Sequence, residues 1–128
     1  MLKIEAIPGK GRGVRASRAI AAGTLIERAP AIRLPAAERP LIDQTTVFVY
    51  YFADPVTYRE GADYDCLLAF GLSTFCNHAA QPNAVVSWEE DPLGLWALLT
   101  AIDDIAEEDE VTVFYTNVDQ YKPDSFFV

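Results

Sequence analysis

Soft metal ligands are scarce in this chain: one histidine and two cysteines are present among 128 residues. Cys66 and Cys76 form no C-x-x-C pair, so a tetrahedral zinc site would be short of ligands and no metal is expected. With so few cysteines, two reduced and buried thiols are expected rather than a disulfide framework. Long apolar runs are also missing. None approaches the ~20 residues that cross a bilayer, and the opening MLKIEAIPGKGRG has no apolar secretory stretch, so a soluble protein without a membrane partner is expected. Positive charge is the third scarcity. Lys and Arg number 10 against 19 Asp and Glu, a net charge of -9 with an isoelectric point near 4.4. That balance argues against nucleic acid binding through a basic face. It is compatible with steering of a basic peptide, although acidity by itself is read as solubility.

What is present is a core. Hydrophobic residues make up 51% and aromatics 12% of the chain, which predicts one compact domain over residues 1–128. Residues 2–7 alternate apolar and polar as a half-buried strand does, before Pro8, Gly9, Gly11 and Gly13 interrupt them. Short strands are expected at 14–17 and 24–27, and Pro30 and Pro35 bracket another extended piece. Residues 45–52, TTVFVYYF, are strand-like by propensity but equally suit a buried helix. Asp63 and Asp65 are candidate N-caps for a brief helix over 66–71. Residues 84–88 and 95–100 read as a hairpin, 103–110 as an acidic solvated turn, and 111–115 as the last clear strand. No repeat or low-complexity segment is present. Many short strands punctuated by Gly and Pro predict a mainly β fold.

Residues 75–83, FCNHAAQPN, stand out as a polar, turn-prone island between apolar flanks. Packing alone does not require Asn77, His78, Pro82 and Asn83 there. The island is third in an ordered series. Gly11-Arg12-Gly13 and the turn at residues 18–24 precede it, and residues 110–115, EVTVFY, follow it.

In that order these features resemble the SET-domain protein-lysine methyltransferases, over about residues 9–121, in the compact form of the small viral and bacterial members. The resemblance implies a SET β-fold, or β-clip, of several small sheets with a C-terminal pseudoknot, in which the last strand threads beneath a preceding loop. It implies S-adenosylmethionine as cofactor, held by Gly11, Arg12, Gly13, Asn77 and His78, and Tyr115 as the catalytic hydroxyl. Glycines at 11 and 13 let backbone approach a ligand, and Arg12 suits a carboxylate. His78 has no carboxylate or nucleophile beside it in sequence, which favours a pocket role over acid–base work. Tyr50, Tyr121 and Phe52 are candidate walls of a substrate channel, where aromatic faces suit an aliphatic stem with a cationic tip. The implied partner is a basic, lysine-containing protein or peptide. Dimerisation is suggested by the small viral members, and the location would be cytoplasmic, or nuclear for a eukaryotic protein acting on chromatin.

Thr74, Ala79, Ala80 and Phe114 depart from the family pattern, which commonly has arginine, a serine-cysteine pair and a small polar or acidic residue at those places. They motivate a second hypothesis, a non-catalytic binding module that keeps the fold. The turn at 18–24 also resembles small β-clip sugar-binding or antifreeze-like domains, which lack the island and the tyrosine that follows it.

Overall fold

The structure, a computed structural model, describes residues 1–58 and 63–117. Among the described residues three small sheets make up the mainly β fold expected from the sequence. Strands β1 (Leu2–Ile7) and β2 (Gly11–Ala16) form an antiparallel hairpin in register from Leu2 opposite Ala16 to Ile7 opposite Gly11. The turn between them needs Gly9 and Gly11, both at positive φ, where a Cβ would crowd the carbonyl that follows.

The main sheet has five strands, each pairing antiparallel with its neighbours. Strand β3 (Leu25–Leu34) lies at its centre, flanked by β5 (Cys66–Ala69) and β8 (Gly94–Ala101), with β4 (Phe52–Ala53) and β7 (Ala84–Asp91) at the edges. The two extended pieces expected on either side of Pro30 are therefore one strand. Pro30 is tolerated because its carbonyl accepts from Phe70 N just past the end of β5, so its missing N–H falls where that ladder has already stopped. The hairpin expected after the island is β7–β8, paired from Ala84 opposite Ala101 to Asp91 opposite Gly94.

One local expectation is corrected, and one open alternative is resolved. Residues 66–69 are strand β5, not helix, because this short, largely buried run fills the slot between β3 and β4. Asp65 caps no helix there; its carboxylate accepts from Ala36 N at 2.9 Å and from Arg33 at 3.1 Å, and Asp63 accepts from Arg39 at 3.2 Å. The ambiguous run 45–52 divides in two. Thr45 Oγ1 accepts from Val47 N and caps a 3₁₀ turn over Thr46–Val49, after which the chain extends into β4. The only α-helical stretch among the described residues is α1 (Arg39–Ile42), and no helix there is long and apolar enough to cross a membrane.

The third sheet positions the site. Strand β6 (Asn77–His78) pairs in parallel with β9 (Thr112–Val113), and Ala79 N continues the ladder to Val113 O. On its other side the same C-terminal segment meets β2, through an Arg15–Glu110 bridge and Val111 N donating to Val14 O. Residues 110–113 thus run between β2 and the island, hydrogen-bonded to both. Val14, Leu99, Val111 and Val113 come from three different sheets or their flanks, and all are nearly inaccessible to solvent in one core cluster. Each contributes about 1.5–3 kcal/mol by leaving water. The acidic stretch 103–110 is largely exposed as expected, but Ile105 within it is buried and bridges Ile20.

Asn83 closes the arrangement. Its Nδ2 donates to Glu110 O at 2.8 Å, and its Oδ1 accepts from Thr112 N at 2.9 Å. The side-chain amide therefore acts as a substitute strand for two backbone groups that lack one. Asn83→Ala should destabilise the protein by roughly 2–4 kcal/mol, since both partners are left partly buried and unsatisfied. Urea unfolding followed by circular dichroism measures this; a change below about 0.5 kcal/mol, the usual size of a neutral surface substitution, would contradict the clamp.

Candidate active site

A cavity of about 200 Å³ opens where β2, the island and the C-terminal segment meet, lined by Arg12, Val49, Tyr50, Thr74, Phe75, Asn77 and Tyr115. Behind it lies a much narrower space of about 10 Å³, which shares Val49, Tyr50, Thr74 and Tyr115 and adds Tyr51, Phe52 and Asn117. Tyr115 thus stands between a roomy compartment and a constriction with aromatic walls.

Each wall is held by local chemistry. Arg12 follows Gly11 in the turn-to-strand passage, and its guanidinium lies 4.6 Å from the centroid of the Phe75 ring. Its Nη2 is 3.5 Å from Tyr50 Oη, at the outer limit of a hydrogen bond. Tyr50 and Phe75 meet edge-on at 5.8 Å. One cation and two ring faces therefore border the cavity. Thr74, one of the departures from the family pattern, lines it too, while its hydroxyl donates to Ala69 O at 2.6 Å.

Asn77 is 2% exposed. Its Nδ2 donates to Glu110 Oε2 at 2.8 Å and lies 3.5 Å from Arg12 O. Gly13 packs directly on it: a Cβ there would fall 2.5 Å from Ile7 Cγ1 and 2.6 Å from Asn77 Nδ2. The two glycines therefore differ in purpose. Gly11 supplies a positive φ with open space around it, whereas Gly13 supplies room for Asn77. Neither lines the cavity; Arg12 between them does.

His78 is not among the cavity-lining residues. Its Nδ1 accepts from Tyr115 N at 2.9 Å, so the neutral ring carries its proton on Nε2. The ring packs between Phe114 at 4.8 Å and Tyr115 at 5.3 Å. Tyr115 itself is 9% exposed, and its hydroxyl donates to Cys76 O at 2.6 Å. Both ends of Tyr115 are thus fixed by neighbouring residues of the island, its backbone by His78 and its hydroxyl by Cys76. The Cys76 thiol is fully buried, and burial raises its pKa far above the ordinary thiol range, which makes it inert at neutral pH. Burial likewise pushes Cys66 up to about 11.

Of the residues singled out from sequence, Arg12, Tyr50, Asn77 and Tyr115 meet at one cavity. Phe52 borders the constriction, and Tyr121 lies outside the described residues. Sequence reasoning gave no role to Phe75, Val49 or the Glu110 carboxylate. Phe75 is the first residue of the island, and its aromatic ring was a signal that could have found it. The Glu110–Asn77 bond spans a sequence separation of 33 and has no local signal. Among the described residues no group of three His, Cys, Asp or Glu converges as a metal site.

Burial first, and Lys10 second, lower the His78 pKa below 6.5. The unfolded chain then binds this proton more readily than the folded one. The stability contributed is complete above the unfolded value and is lost as pH falls below it. Protonation also removes the lone pair that holds Tyr115 N. Between about pH 7 and pH 5 the melting temperature should fall, and His78→Asn, which keeps an acceptor but does not titrate, should fall less. Parallel melting curves across that window would contradict the assignment.

A SET domain profile matches residues 11–116, from the first glycine of the G-R-G turn to the residue after Tyr115. Among solved structures, a candidate histone methyltransferase of Plasmodium falciparum is similar with a TM-score of 0.68 at 24% identity, over 91% of this chain and 93% of its own. DIM-5, a SET domain protein and histone lysine methyltransferase of Neurospora, gives the same score and identity over 91% of this chain and 52% of its own. No curated protein matches. At that identity the two structures show the shared fold, and the profile, which spans most of the sequence and every element of the cavity, shows the family: the chain belongs to the SET domain family.

Proposed function

We propose that the chain, acting as a single unit over residues 1–128, transfers a methyl group from S-adenosylmethionine to the side-chain amine of a lysine in a protein or peptide, with Tyr115 as the catalytic hydroxyl. The observation that carries the reading is the position of Tyr115 Oη, bound to Cys76 O at 2.6 Å where the cavity narrows into the aromatic constriction.

The residues bordering the cavity suit that cofactor. Arg12 can pair with its carboxylate, and the Phe75 and Tyr50 rings offer faces for a heterocycle. Bound there, the cofactor would supply an electrophilic sulfonium methyl. The constriction beyond Tyr115 suits the lysine stem, because the Tyr50, Tyr51 and Phe52 rings border it with apolar surface and only the two tyrosines carry a hydroxyl at the tip.

Methyl transfer needs a neutral amine in line with the carbon–sulfur bond. The amine lone pair forms the new N–C bond as that bond breaks, the electron pair returns to sulfur, and the proton of the resulting ammonium leaves to water. Little of this demands an acid or base from the protein; alignment and exclusion of water supply most of the acceleration. Tyr115 serves alignment. Donation to Cys76 O fixes its proton, so its remaining lone pairs act as acceptors for an amine N–H or a polarised methyl C–H. The net charge of -9 favours encounter with a basic substrate segment.

Tyr115→Phe should lower kcat on a lysine peptide by roughly 10²-fold or more. Cofactor affinity measured by calorimetry should stay within a few-fold. Full transfer by the variant would remove Tyr115 from the chemistry, and absence of cofactor binding by the wild-type protein would remove the reading altogether.

A further inference from the structure

Strand β3 carries a break in register. Leu25 lies opposite Thr100 and Glu27 opposite Leu99, so Ile26 is the extra residue of a bulge. In unbroken register Glu27 would oppose Leu98 and share its outward face; the bulge turns it to the side of the fully buried Leu99. A half-buried carboxylate on that side is costly unless its oxygens are hydrogen-bonded. Both are. Oε2 accepts from Leu72 N at 2.9 Å and Oε1 from Ser73 N at 3.1 Å. No Lys or Arg forms an ion pair with Glu27 among the described residues, so its charge rests on two backbone groups of one segment.

That segment is the 3₁₀ turn Leu72–Phe75. The first amides of such a turn have no acceptor within it, and the residue before the turn commonly supplies one. Gly71 holds that place and has no side chain to offer; Glu27 caps the turn from β3 instead. Contact, not conformation, requires the glycine. Its backbone is extended, with φ at -154°, whereas a Cβ there would fall 2.6 Å from Glu27 Oε1 and 2.6 Å from Ala29 Cβ. The turn is therefore pressed against β3. Parts of the candidate site follow within three residues of Ser73. Thr74 and Phe75 line the cavity, and the Phe75 ring carries the Arg12 guanidinium and meets Tyr50 edge-on. Cys76 N returns to Ser73 O at 3.2 Å, and Cys76 O holds the Tyr115 hydroxyl. A displacement at Ser73 is thus passed to the aromatic wall and to Tyr115 together.

We infer that Glu27 is a positioning residue: its carboxylate pins the entry of the 72–75 turn and thereby sets the Phe75 wall of the cavity and the Cys76 carbonyl that orients Tyr115. It touches neither ligand nor reacting atoms and acts through the turn. A cavity whose walls are held before binding loses less freedom when it fills, so the effect is read in ligand affinity as well as in stability. The consequence for binding rests on the reading of the cavity as the S-adenosylmethionine site; the consequence for the turn does not.

Glu27→Gln tests it, because the amide keeps the size of the side chain but has one oxygen for two N–H donors and sets its own NH₂ against the other. At a temperature where circular dichroism shows the variant folded, its affinity for S-adenosylhomocysteine by calorimetry should fall about tenfold. Its ¹⁵N spectrum should show the Phe75 and Tyr115 amides displaced. Ile105→Val, which removes a buried methylene at the bridge to Ile20, is the control for stability alone: its melting temperature should fall while affinity and the two amides stay unchanged. A Glu27→Gln variant that behaves like this control would overturn the inference. Hydrogen exchange on the wild-type protein needs no variant to fold: the Leu72 and Ser73 amides should be protected, and fast exchange at both would equally overturn it. If wild-type protein binds no S-adenosylhomocysteine, the methyl-transfer reading falls, and the Phe75 and Tyr115 amides of Glu27→Gln still decide whether Glu27 positions the turn.

Discussion

The parallel pairing of Asn77–His78 with Thr112–Val113 is the constraint on which the rest of the structure depends. It brings His78 Nδ1 to Tyr115 N, Cys76 O to the Tyr115 hydroxyl and the strand at 110–112 to Asn83. Parallel pairs bond less favourably than antiparallel ones, and this pair is very short. It persists because its edges are occupied. Val14 O takes Val111 N on the β2 side, Asn83 substitutes for a strand at 110 and 112, and the Asn77 amide reaches the Glu110 carboxylate. Polar groups that would otherwise be buried unpaired are satisfied across three segments at once, so loss of one loosens the others.

This organisation separates support from chemistry within one motif. Asn77, His78, Pro82 and Asn83 look alike as a polar run in sequence, but they act at different distances from the cavity. Asn77 forms part of its wall. His78 and Asn83 hold the C-terminal segment, and Pro82 borders a separate cavity of about 230 Å³. The departures sort in the same way. Ala79 contributes a backbone N–H to the parallel ladder, which any residue with an amide proton could do. Thr74 spends its hydroxyl on Ala69 O. Phe114 replaces a polar side chain with an exposed ring that packs on His78 and borders the same cavity as Pro82.

The fold was legible from sequence where a local rule decided it. Alternation marked β1, Gly9 and Gly11 marked its turn, and apolar runs on either side of Pro92 and Gly94 marked the β7–β8 hairpin. Local rules failed where tertiary context decided. Residues 66–69 carry helix-compatible side chains behind two aspartates, but the open slot beside β3 made them a strand, and the aspartates went to Arg33, Ala36 and Arg39. Pro30 looked like a boundary and proved to be the point where one neighbouring strand stops. At the site, the residue types Arg12, Asn77 and Tyr115 were visible. The reason Gly13 is glycine was not, since it lies in the 2.6 Å approach to Asn77, a residue brought there by the chain fold.

The central claim is that the G-R-G turn, the island and Tyr115 form one ligand site. It is tested most directly by a ¹⁵N nuclear magnetic resonance titration of the protein with S-adenosylhomocysteine. The account predicts saturable shifts at the amides of Arg12, Phe75, Asn77 and Tyr115, with the distant β7–β8 turn at Leu93 unaffected. Saturation with no shift at these four amides, or shifts confined to other parts of the sheet, would contradict it.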